Sequence, residues 1–160
     1  MAVDIFIKLE GIEGEAQDKE HKKEIDVLSW SWGMSQNGTM HLGAGGGSGK
    51  VSVQDLSITK YVDSASPAIM TYCCNGKQFA TAKLTIRKAG GSAPVEYVIL
   101  ELKEVIVTSV STGGSGGEDR LTENVSLNFA KFSYAYTPQD QKGAAGTKIP
   151  MTWDIAQNVA

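Results

Sequence analysis

Few side chains in this sequence are of types that do chemistry, and their spacing decides what each can do. The most tempting run is Gly43 to Lys50, which crowds glycines before a lysine. A phosphate-binding loop needs a glycine, four residues, then Gly-Lys followed by Ser or Thr, with a helix beyond. Counting back from Gly49 and Lys50 puts Ala44 where the first glycine belongs and Val51 where the magnesium-binding hydroxyl belongs. A strand pattern follows instead of a helix, so no nucleotide site is expected. His21 and His41, the only histidines, each fall in a polar loop and read as solvated residues too isolated for a zinc site. Cys73 and Cys74 are adjacent in a helical stretch, a poor geometry for a disulfide and without the CxxC spacing of redox or metal sites. They read as reduced, with at least one packed against the sheet. Glu118 and Asp119 ahead of Arg120 supply carboxylates, but glycoside chemistry needs two acids across a cleft. They read as a solvated loop end or a charged set meeting a neighbouring subunit. With no GxSxG elbow either, the sequence offers no catalytic, cofactor or metal residues.

The elements that would position such groups are strands. At 160 residues the chain suits one domain spanning 1–160 and can bury a core without metal or disulfides. Fifteen basic against 18 acidic residues, a net charge of −3, disfavour a nucleic-acid partner. No apolar run has transmembrane length, and the first residues enter a strand pattern without the form of a secretory signal. Strand periodicity covers Val3–Leu9, Glu24–Met34, Val51–Tyr61, Phe79–Lys88, Val95–Val110, Leu121–Tyr136 and Lys148–Ile155. Within Glu24–Met34, Leu28, Trp30 and Trp32 share one face, and Ile25, Val27, Ser29 and Ser31 the other. Between the strands, Gly11–Lys23 reads as an exposed charged loop. One helix is expected, with Ser66 as its cap, Pro67 in the first turn and Asn75-Gly76 as its stop. Thr85 and Arg87 are expected to face out. The fold class is mainly β: an antiparallel barrel or sandwich flanked by one short helix, with glycine concentrated in three loops.

The two longest strands look apolar on both faces. Val98, Leu100, Leu102, Ile106 and Val110 alternate with Val95, Tyr97, Ile99, Val105 and Val107, and the later strand moves its bulk from Phe129 to Phe132. A sheet wetted on one side would alternate cleanly, so cover by other copies of the chain is expected here.

Long ordered segments carry a resemblance. The start from Met1 to Lys8, Glu24 to Gln36, and Val105 to Phe129 with its Ser111–Asn124 core resemble the Hcp (haemolysin-coregulated protein) family of bacterial type VI secretion systems. Val53–Tyr61, Pro67 and Leu84–Gly90 add to it, so that the similarity runs essentially full length. The resemblance implies a β-barrel like that of phage tail-tube proteins. It implies six-membered rings that stack into a tube inside a contractile sheath, expelled with the spike protein VgrG from a baseplate. It also implies a protein that is cytoplasmic before firing, secreted afterwards, neither an enzyme nor inserted in membranes, and able to carry small effectors in its lumen. The loops Gly38–Gly49 and Thr112–Glu118 resemble segments at ring faces, which points to Gly45, Gly46, Gly47, Gly113, Gly114, Gly116, Gly117, Glu118, Asp119 and Arg120 for stacking or ring contacts. Alternation alone suggests that Ser29 and Ser31 line the lumen and touch cargo. The competing reading is a free secreted β-barrel binding module or adhesin, which a fixed ring stoichiometry would exclude.

Overall fold

The computed structural model describes residues 3–38, 41, 50–88, 94–140 and 143–160. The elements run β1 (Val3–Leu9), β2 (Ile25–Ser31), β3 (Met34–Ser35), β4 (Ser52–Val53), β5 (Leu56–Tyr61), α1 (Ser66–Asn75), β6 (Phe79–Lys88), β7 (Val95–Gly113), β8 (Thr122–Tyr136) and β9 (Ile149–Asp154). Six strands close on themselves in the order β5-β2-β1-β6-β7-β8, the last pairing back to β5. Closure removes the open edges that a flat sheet would leave unpaired. The far half of β8, Lys131–Tyr136, stays paired with β7 and takes β9 as its other neighbour in place of β5.

The apparent two-faced character of the long strands has an internal cause. Tyr97 is skipped in the β6–β7 register, which passes from Arg87–Glu96 to Ile86–Val98. Thr108 is skipped in the β7–β8 register, which passes from Val107–Leu127 to Ser109–Ser126. Each extra residue inverts the strand faces. Glu104, with φ +55°, marks a further inversion, opposite the Ala130–Lys131 step between Phe129 and Phe132. Val98, Leu100, Leu102, Val105 and Val107 therefore enter one core, and Val95, Phe129 and Phe132 are buried. These strands do not need other copies of the chain to cover a second apolar face.

The same device corrects the reading of Glu24–Met34. Leu28 is skipped between the pairs Val27–Lys60 and Ser29–Thr59. Ile25 and Val27 point inward before the bulge, Trp30 and Trp32 pack on the core after it, and Leu28 is left 44% exposed. Trp32 meets Phe132 edge-on at 4.9 Å. The expected Val51–Tyr61 strand is likewise broken at Gln54 and Asp55, and β4 pairs with β3.

The helix ends where expected, on Gly76 at φ +66°, a conformation glycine adopts without strain. Its cap is Ala65, without a side-chain cap bond, so Ser66 is not the cap. Ala65 and Ile69 bury the helix against the core, and it packs along β7. Ten residues are too few for a stable isolated helix, so this burial holds it.

Candidate assembly surfaces

Two outer walls of the barrel differ in kind. On one, the strand register lines up short polar side chains across four strands. Ser31 lies opposite Ser57, Ser57 opposite Ser126, and Ser126 opposite Ser109. One step along, Ser29, Thr59, Asn124 and Ser111 form a second row. All eight point away from the core, and none carries a charge. Thr59 Oγ1 donates to Asn124 Oδ1 at 2.7 Å, and the Ser57 and Ser126 hydroxyls lie 3.4 Å apart. At the margin of the rows, Asp55 accepts from Thr108 Oγ1 and Asn128 Nδ2, each at 2.8 Å. Of these residues, sequence reasoning reached only Ser29 and Ser31. The serine–threonine alternation of Ser57 and Thr59 was visible, but the β5–β8 pairing that aligns it was not.

The tip of the β7–β8 hairpin borders this wall. The ladder runs to the Gly113–Thr122 pair, so Gly113 belongs to a strand and not to the loop. Residues 111–120 are all exposed, Gly114, Gly116, Gly117, Glu118 and Asp119 among them. A Cβ on Gly114 would overlap the Leu121 side chain, whereas Gly116 and Gly117 face open space. The Arg120 guanidinium carbon lies 3.7 Å from the centre of the Tyr61 ring, a cation–π contact that steadies the base of the tip. Val62 N–H donates to the Leu121 carbonyl at 2.9 Å and ties the same base to β5. Leu121 itself is 46% exposed. Gly45, Gly46 and Gly47 lie outside the described residues.

Behind these rows, inside the barrel, sits an ionic knot whose Lys60 and Glu123 are fully buried. Lys60 on β5 is ion-paired with Glu123 opposite it on β8 and with Asp63 at 2.9 Å. Lys60 Nζ donates to Ser66 Oγ at 3.2 Å, and Ser66 Oγ donates to Glu123 Oε1 at 2.6 Å. The Glu123 carboxylate thus meets the first turn of α1, where the helix dipole favours an anion. A serine, a lysine and a carboxylate in contact resemble a nucleophilic constellation. Ser66 is sealed in the core and the lysine is bound by two acids, so no substrate reaches the hydroxyl. The knot fastens helix to barrel.

The opposite wall, formed by β1, β6 and the start of β7, is covered. Residues 10–24 strap across it and bury Ile12, Ala16 and His21, contrary to the exposed loop expected there. Gly14 N–H donates to the Lys23 carbonyl at 2.8 Å and Ala16 N–H to that of Glu24 at 2.9 Å, which folds the strap on itself. Thr85 and Arg87 do leave the barrel interior, but they are buried beneath the strap. Arg87 donates to Asp18 Oδ1 and Asp4 Oδ2, both at 3.0 Å. The Arg87 bond holds the Asp18 carboxyl well below the usual carboxylate range, against the opposing effect of burial. His21, only 6% exposed, stacks on Phe6 at 4.6 Å and is not the solvated residue expected. His41 is exposed. Cys73 is half-buried against the core, Cys74 is exposed, and both are free thiols.

Comparison with known proteins places this geometry. A profile described as "Type VI secretion system effector, Hcp" matches residues 6–136. The protein hcp1 of Pseudomonas aeruginosa is 62% identical over 160 residues, covering 99% of both chains. A solved type six secretion system protein superposes with TM-score 0.91 at 36% identity, covering 98% of both chains. Hcp1 of Salmonella typhimurium superposes with TM-score 0.80 at 36% identity, covering 99% of this chain and 98% of its own. The chain belongs to the Hcp family of type VI secretion system proteins, non-catalytic structural tube components that act with the spike, sheath and baseplate and pass from the cytoplasm to the exterior.

Proposed function

We propose that six copies of this chain form a ring, and that rings stack into a tube whose channel is fronted by the Ser31 and Asn124 rows. The observation that carries this reading is the register itself. Eight Ser, Thr and Asn residues stand in two straight rows across four strands, with no long or charged side chain among them. A wall of short hydroxyls stays wet and leaves the bore open. It also offers hydrogen bonds to a small effector without the strong attraction that would stop its release.

The hairpin tip is proposed as a ring-to-ring contact. Gly116, Gly117, Glu118 and Asp119 project beyond a base fixed by Arg120 on Tyr61. The segment with Gly45, Gly46 and Gly47 is proposed for the same role. Export is proposed to proceed by expulsion with the spike.

Light scattering on the purified protein, with negative-stain images of the same peak, tests the assembly. Six chains of 17.0 kDa, ~102 kDa in all, seen as rings with an open centre are expected. A stable 17.0 kDa monomer under all conditions would return the chain to a free secreted binding module.

A further inference from the structure

The strap over the covered wall is closed by one side chain whose hydrogen bonds require a charge. His21 Nδ1 lies 2.8 Å from Glu24 Oε2, and its Nε2 lies 2.7 Å from Glu96 Oε1 on β7. A carboxylate only accepts, so both ring nitrogens must donate, which needs the doubly protonated imidazolium. A neutral ring would turn a lone pair on one carboxylate within the same buried site.

We propose that His21 is a proton-dependent latch, which locks the 10–24 strap onto the barrel while its ring is cationic and releases it when the ring loses its proton. The surrounding charges fit this role. From the strap itself Glu20 and Glu24 lie near the ring and Asp18 holds Arg87, β7 supplies Glu96, β6 supplies Arg87, and β1 supplies Asp4 through Arg87. Lys23 turns away to Glu13, at 3.8 Å. Phe6 carries His21 on its ring and the Arg87 guanidinium carbon 5.2 Å from its centre. Loss of the His21 proton leaves Arg87 as the remaining cation among these carboxylates. One of Glu24 and Glu96 then faces an unprotonated nitrogen, and each feels the other's field.

Burial of the ring opposes its charge, but the bonds and field of Glu24 and Glu96 outweigh it, and the pKa is raised above the ordinary 6.5. A raised value means that the latch contributes fully below pH 6.5 and is lost as pH rises through the folded value. Opening would uncover Phe6 and Thr85, both now buried.

Hydrogen exchange read by mass spectrometry on the whole protein tests this at two kinds of site. Exchange at the His21 ring carbon is expected to give a midpoint above 6.5. Peptides covering Gly14, Ala16 and Lys23 are expected to lose protection above that midpoint, about tenfold for each unit separating the folded and unfolded pKa values. Glu96→Gln should lower the His21 midpoint with the barrel strands unchanged. His21→Gln should leave strap protection low at neutral pH and independent of pH. A His21 midpoint at or below 6.5 would overturn the latch, as would wild-type strap protection in His21→Gln.

Discussion

The two outer walls of this barrel show opposite solutions to the same problem of what to do with a sheet's far face. Across β2, β5, β8 and the end of β7 the face is bare, and carries Ser29, Ser31, Ser57, Thr59, Asn124, Ser126, Ser109 and Ser111. Across β1, β6 and the start of β7 it is covered, and long charged side chains interlock beneath a strap. The bare wall gains little stability from its surface and depends on what lies inside the barrel. The covered wall gains stability from outside, through Arg87 and His21. A channel lining has to be exposed and unobstructed, so the bare wall is the one suited to the bore.

The comparison breaks most visibly from within. Lys60→Met removes the cation that holds Glu123 and Asp63 together behind the hydroxyl rows. Breaking a buried pair costs about 3–5 kcal/mol, and urea unfolding should show that loss. The double variant Lys60→Met, Glu123→Leu should recover most of it. If Lys60→Met alone is as stable as the parent, the knot does not support this wall.

On the covered side Arg87→Met should cost about 2 kcal/mol, the scale of hydrogen bonds to charged groups. It should also change the acid limb of stability. Asp18 titrates below its unfolded value, so its contribution is present above that value and is lost as pH falls through the folded one. With Arg87 gone, that limb should flatten. An unchanged acid transition would detach Asp18 from Arg87 energetically.

How much of this was legible in the sequence differs between the walls. Val3–Leu9 and Phe79–Lys88 fold over those residues as read. Strands with a bulge mislead, because one extra residue at Leu28, Tyr97 or Thr108 inverts every position after it. Unbroken alternation then assigns core residues to an outer face and invents a need for outside cover. Ser29 and Ser31 were identifiable as small neighbours of two tryptophans. Their continuation through Ser57 and Ser126 depends on β5 pairing with β8, whose residues are distant in sequence. The strap hid for another reason. Asp18, His21 and Glu24 look like solvated loop residues until Arg87 and Glu96 are brought to them.

Smaller effects sharpen the contrast. Ser31→Glu sits on an exposed face, so its stability change should stay within about 0.5 kcal/mol. Ring mass should be unchanged while retention of a co-purifying effector falls; undiminished retention would remove Ser31 from the cargo surface. Gly116→Trp should have the least effect on folding, since a Cβ there meets nothing. Tube length in electron micrographs and the amount exported should nonetheless drop. Normal tubes would place stacking contacts elsewhere.

The most direct test is an electron cryomicroscopy map of the assembled protein, viewed down its axis. Six subunits are expected around an open channel, with Ser31, Ser57, Asn124 and Ser126 at the bore and residues 10–24 away from it. A ring whose bore is fronted by the 10–24 strap, with the hydroxyl rows buried between subunits, would contradict it.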